Sequence, residues 1–128
     1  MRLAKLSQKE KDNAINEVRI LASLQHKNIA SYKEAFFESA TSTLCIVMEF
    51  CDGGDLQSKI NKLKKTASYM KEAEIWSIFY QMVTGLNALH QTKIVHRDIK
   101  CANVFLTKEG TVKLGDLNVS KISKAGVM

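Results

Sequence analysis

The 128-residue chain has no proline, only three cysteines and six glycines, and no long apolar run. Without proline, its turns must rest on Gly, Asn, Asp and Ser. Cys45, Cys51 and Cys101 are odd in number and show no CxxC spacing. That argues against structural disulfides or a zinc site and for reduced thiols. Apolar runs of a few residues are too short to span a bilayer, so no membrane partner is expected. The first residues, Met1-Arg2-Leu3-Ala4-Lys5, lack the apolar core of a secretory signal. Together these absences predict an intracellular, cytoplasmic protein.

What is present is ordinary for a globular protein: 45% hydrophobic and 25% charged residues. The length suffices for one core. A net charge of +6, with lysines spread along the chain, suits phosphates or acidic partners. Nucleic acid is not expected as a partner on charge of this size.

Periodicity predicts α+β architecture. Ser7-Gln8-Lys9-Glu10 forms a capping box, and a helix should follow to about Leu24. Its apolar stripe is Ala14, Ile15, Val18, Leu21 and Ala22, with Glu17 on or beside it and in need of a cation or hydrogen-bond donor as partner. Two strands are expected, Tyr32 to Glu38 and Leu44 to Phe50, joined by Ser39-Ala40-Thr41-Ser42. Asp52-Gly53-Gly54-Asp55 then breaks the second strand and leads into a short helix, about Leu56 to Lys64. Lys59 to Lys65 reads as a solvated basic face. A longer helix is predicted from about Lys71 to His90, with Ile75, Ile78, Phe79, Met82, Leu86 and Leu89 as its core stripe. A hairpin should follow, Val104 to Thr107 and Val112 to Leu114 around Lys108-Glu109-Gly110. The Gly53-Gly54 junction is the candidate boundary between two halves.

The most informative stretch is His96-Arg97-Asp98-Ile99-Lys100-Cys101-Ala102-Asn103, with Gly115-Asp116 beyond the hairpin. Singly, an Asp after a strand forms turns and an Asn in a loop caps something. Set together they suit one task, holding Mg-ATP while a hydroxyl attacks its terminal phosphate. Phosphoryl transfer needs charge neutralised and groups aligned more than it needs covalent help. Mg²⁺ takes hard oxygen ligands, which Asn103 and Asp116 can supply. Asp98 would orient the hydroxyl and accept its proton, and Lys100 would steady the migrating phosphate. His96 is expected to pack under the loop and hydrogen-bond backbone there. Pairing of the hairpin strands could bring Asn103 and Asp116 to one end.

This stretch matches the protein-kinase catalytic loop, His-Arg-Asp-Leu-x-x-x-Asn, with Ile99 in place of Leu. The chain resembles eukaryotic-type serine/threonine protein kinases, and within them the NIMA-related kinases. The resemblance is carried also by Asn16-Glu17-Val18-Arg19-Ile20-Leu21, His26-Lys27-Asn28-Ile29, Ile46 through Leu56, and Lys113-Leu114-Gly115-Asp116. It implies a partial kinase-like fold: residues 1–51 as remnant of the β-rich lobe with the hinge, and 52–128 as the start of the helical lobe. It implies ATP and Mg²⁺ as cofactors and Ser/Thr-bearing proteins as substrates. Glu17 would be the helix-C glutamate and Met48 the gatekeeper. Glu49, Phe50 and Cys51 would form the adenine-binding hinge, Asp55 would approach the ribose, and Phe105 would pack below adenine. Arg97 would support the catalytic loop, where a phosphorylated activation segment could be read. Cytoskeletal or ciliary association is implied by the resemblance alone.

Two departures stand out. Asp-Phe-Gly is replaced by Asp116-Leu117-Asn118, and Cys101 stands where many relatives have proline. The six glycines also form no Gly-x-Gly-x-x-Gly, and no Val-Ala-Ile-Lys strand occurs. On these grounds the 128 residues are read as a kinase fragment with negligible activity alone; the alternative is a truncated, non-catalytic binding module.

Overall fold

The computed structural model describes residues 22–38, 40, 43–115, 117 and 121–122. The predicted first helix, with Glu17, lies outside these residues except at its last turn; so do Asp116 and Asn118. The chain divides into two compact units: residues 1–25 with 31–50, and residues 26–30 with 51–128.

In the first unit an antiparallel pair forms from β1 (Tyr32–Glu38) and β2 (Thr43–Met48). Register runs from Glu38 opposite Thr43 to Tyr32 opposite Met48, with an irregularity between Tyr32 and Glu34. The second strand ends two residues earlier than expected. Beyond Met48 the pairing becomes local: Glu49 N–H donates to Ser31 O at 2.8 Å, and its Oε2 accepts from Ser31 N–H at 3.1 Å. A side chain that turns back onto backbone in this way interrupts the alternation of a ladder.

The second unit holds most of the described core. Helix α1 (Leu56–Lys65) starts at Asp55, whose Oδ1 accepts from Ser58 N–H at 2.8 Å. This side-chain cap answers one of the helix's unpaired donors. The longer α2 (Glu72–Gln91) has Glu72 and Glu74 in its first turn, where the helix dipole favours acid. A two-residue strand β3 (Ile94–Val95) pairs with β6 (Lys121–Ile122). The hairpin β4 (Val104–Leu106) and β5 (Val112–Leu114) aligns Val104 with Leu114 and Leu106 with Val112. Those four side chains are buried, while Phe105 and Lys113 between them are half-buried, the two-residue period of a pleated strand. Thr107 leaves the ladder because its N–H closes the turn onto Thr111 O at 2.9 Å.

The buried face of α2 matches the predicted stripe at four of its six positions. Ile78, Gly85 and Leu89 are buried, with Met82 and Leu86 half-buried. Ile75 and Phe79, expected in the core, are 52% and 54% exposed and share a face with Trp76, Tyr80 and Val83. Apolar residues nearly encircle the first half of this helix, so spacings of three and four can be drawn on either side. Close backbone approach decides between them. A Cβ at Gly85 would stand 2.5 Å from the carbonyl oxygen of Asn28, so the backbone of loop 26–30 approaches the helix this closely because position 85 is glycine. On that same side Gln81 Oε1 accepts from Asn28 Nδ2 (3.1 Å) and from Val112 N–H (2.9 Å). Loop 26–30 is in turn stitched to β5, since Ala30 N–H donates to Leu114 O (2.8 Å) and Leu114 N–H to Asn28 O (2.9 Å).

No helix among the described residues is long and apolar enough to cross a membrane. Cys45, Cys51 and Cys101 are half-buried and form no disulfide.

Candidate active site

The loop after β3 is built on a buried imidazole. His96 is 1% exposed, and its Nε2 lies 2.9 Å from Gly115 O. Its Nδ1 accepts from Asp98 N–H at 3.3 Å, which assigns the proton to Nε2 and makes Nε2 the donor to Gly115. Gly115 N–H donates to Asn103 O at 3.0 Å. Both peptide groups of Gly115 are therefore tied to the loop, one at each end. A Cβ there would meet the Phe105 ring at 2.5 Å, so only glycine fits between ring and loop. Arg97 completes the turn with a φ of 68°, left-handed backbone that a non-glycine residue adopts only when its neighbours hold it.

This frame aims Asp98, Lys100 and Asn103 at one another. Asp98 Oδ2 accepts from Lys100 Nζ at 2.7 Å and from Asn103 Nδ2 at 2.9 Å. Asn103 Nδ2 also donates to Asp98 O at 2.9 Å, and Asn103 is otherwise enclosed at 6% exposure. Hydrogen bonding from Lys100 is the main cause that holds the Asp98 carboxyl below the usual carboxylate range. Partial desolvation pushes it the other way, and the Asn103 amide adds to the lowering. Among the described residues, Asp98 Oδ1 and Asn103 Oδ1 accept no hydrogen bond. The loop thus presents one fixed carboxylate with an open oxygen and one carboxamide oxygen beside it.

The remaining expected site residues fall in three places. Asp55 and Phe105 meet in an isolated bridge, where the segment after Gly53 adds to the edge of β4. The Asp55 carboxylate is occupied by Ser58, with Oδ1 on its N–H and Oδ2 on its hydroxyl (2.8 Å each), and these bonds lower its pKa. Cys51 belongs to the same unit. Met48, Glu49 and Phe50 belong to the other, where Phe50 is 86% exposed and the Glu49 carboxylate binds Ser31. Glu17 and Asp116 lie outside the described residues. Leu117, in the place of the family's Phe, is fully buried.

Some supporting residues carry no obvious signal in the sequence. Asp52 Oδ1 caps Lys108 N–H at 2.9 Å, pinning the hairpin turn to the start of the unit. Asn28 is fully buried, with Nδ2 also bonded to Val112 O at 2.8 Å, while its Oδ1 has no partner among the described residues.

The protein kinase domain model matches residues 1–128, the whole chain. The chain belongs to the protein kinase family. Among curated kinases it is similar to serine/threonine-protein kinase Nek1 of Mus musculus, 42% identical over 98% of this chain and 10% of the relative. Nek9 of Xenopus laevis is 44% identical over 93% of this chain and 12% of the relative. The G2-specific protein kinase nimA of Emericella nidulans is 36% identical over 92% and 21%. The chain thus spans only about a tenth of the length of the first two relatives. The described strands and helices are α+β, as part of a protein kinase domain.

Proposed function

We propose that this kinase domain serves ATP-dependent phosphoryl transfer to serine or threonine of protein substrates. The observation that carries the reading is the convergence of Lys100 and Asn103 on Asp98 Oδ2, which leaves Oδ1 for an incoming hydroxyl. Asp98 orients that hydroxyl and takes its proton as the bond to phosphorus forms. A carboxylate with a lowered pKa is a weak base, so alignment is its larger contribution. Lys100, which pairs with Asp98 here, would neutralise charge on the transferring phosphoryl group.

The side-chain oxygen of Asn103 suits Mg²⁺, because both side-chain hydrogen bonds are made from Nδ2 and Oδ1 is left over. Asn103 with Asp116 would hold the ion, which when bound neutralises phosphate charge. Phe105 and Cys51 would contribute to adenine contacts, and Met48 to Phe50 would supply the rest of the hinge. Asp55, already engaged with Ser58, would meet the ribose by keeping that cap and sharing an oxygen. Glu17 would act as helix-C glutamate, and His96 and Arg97 would hold the loop.

The test is transfer of labelled γ-phosphate from Mg-ATP to a generic Ser/Thr protein by the protein that carries this chain. Asp98→Asn, nearly isosteric, should lower the rate by about a hundredfold or more with ATP affinity unchanged. Equal transfer by the Asn variant would defeat the assignment. ATP binding with no transfer by the unaltered protein would favour the non-catalytic binding module instead.

A further inference from the structure

Away from the catalytic loop, α1 turns into α2 through residues 66–71, and this elbow encloses a cleft of about 440 Å³. Ile60, Leu63, Ala67 and Met70 give it a largely apolar lining, joined by Lys64 and Tyr69. Tyr69 is 93% exposed, so its ring is not committed to the core and can cover an occupant. The elbow itself is well tied: Ser68 N–H reaches Leu63 O at 2.9 Å, and Ala67 N–H reaches Lys64 O at 3.2 Å. Thr66 Oγ1 adds a bond to Leu63 O at 3.1 Å. A cleft walled by such a turn is preformed and loses little entropy on binding.

Charge is concentrated at the same place. From Leu56 to Lys71 the sequence has five lysines (59, 62, 64, 65 and 71) and no Asp or Glu, against a net +6 for the whole chain. The lysines are therefore less evenly spread in effect than their positions suggest. Lys59 is answered by Glu74 of α2. Lys62, Lys64, Lys65 and Lys71 are exposed.

We propose that the α1–α2 elbow is a docking site for an acidic segment of a partner protein. The segment sets one aliphatic or aromatic side chain in the cleft, and its flanking carboxylates are drawn by the lysines. Charge complementarity selects the class of partner, and the apolar lining selects the anchor. Nucleic acid fits less well, since the stretch has no arginine for bidentate phosphate contact and a single exposed aromatic for stacking. A membrane surface fits less well too, because the apolar part is concave and cannot insert.

The site shares no residue with the proposed catalytic loop, so the two readings stand or fall separately. The test is fluorescence anisotropy of the full-length protein with a labelled peptide of alternating glutamate and leucine. Saturable binding is expected, weakened about tenfold by alanine for leucine in the peptide and about tenfold by Lys64→Glu with Lys65→Glu in the protein. Tyr69→Ala should weaken it several-fold. All three altered residues are exposed, and an unchanged thermal melt confirms that the variants fold. Asp98→Asn should leave peptide binding as it was. No saturable binding would overturn the proposal, and so would equal affinity for a leucine-free acidic peptide. Tighter, lysine-dependent binding of oligouridine or phosphatidylserine vesicles would overturn it in favour of those partners.

Discussion

Asp98 Oδ2 receives two hydrogen bonds, and the one from Lys100 does most to keep the carboxyl ionised. A group with a depressed folded pKa adds stability above its ordinary value, about 4, and loses it as pH falls through the lowered value. Asp98 should therefore stay charged well into the acid range. In Lys100→Met the carboxyl should titrate higher, toward the ordinary range, in a ¹³C NMR titration of the labelled Asp98 carbon. An unmoved titration would mean that Asn103 or the loop backbone, not Lys100, sets the charge. The sequence made this cluster legible because its members sit within six residues, where spacing alone limits geometry. Its supports were legible in part: His96 is buried and bonded to backbone as expected. That its partner would be Gly115, which also donates to Asn103 O, depends on strands that meet across the hairpin and is not set by local spacing.

Elements were legible to the degree that their signals are local. The Asp55 cap and the Gly110 turn, with a φ of 87°, follow from residue type, and α1, α2 and the hairpin, the predicted elements of the second unit that fall among the described residues, lie within a residue or two of expectation. The buried side of α2 was legible in part: Ile78, Met82, Leu86 and Leu89 face inward as expected, while Ile75 and Phe79 do not, because the first half of the helix is apolar on both faces and the approach of Asn28 to Gly85 selects one. The end of α1 shows a residue working against its type. Ala67 occupies the left-handed position of the helix cap, with a φ of 48°, and the flanking bonds to Leu63 O and Lys64 O complete the motif that glycine normally serves. A side chain in that conformation costs roughly 1 kcal/mol. Ala67→Gly should therefore raise stability by about 0.5–1 kcal/mol, less whatever the freer unfolded chain takes back. Urea unfolding followed by circular dichroism would measure it. A loss of stability would show that the Ala67 methyl contributes more to the elbow than its backbone strain removes.

At the scale of the molecule, the unit that carries the Asp98 loop is discontinuous in sequence. Residues 26–30 lie within the first unit's stretch of chain yet belong to the second, held by β5 and α2. Asn28 is the centre of this join. Its backbone oxygen accepts from Leu114, and its Nδ2 donates to Gln81 Oε1 and Val112 O. Asn28→Ala would leave the Val112 carbonyl short of a donor in a buried place, at about 1–3 kcal/mol for each such group. Loss of the unpartnered Oδ1 would return part of that, since its burial is itself unfavourable. The net cost should be about 2 kcal/mol, which corresponds to roughly thirtyfold faster hydrogen exchange of amides that open with the join. Ala30 and Leu114 are the amides to follow, because their N–H groups bond across it. Asp98 and Lys100 lie outside the join, but the loop they stand on is clasped by Gly115, the residue after Leu114. Exchange at Ala30 and Leu114 that matched the unaltered protein would show that the join is held by backbone bonds alone and that Asn28 is a passive filler.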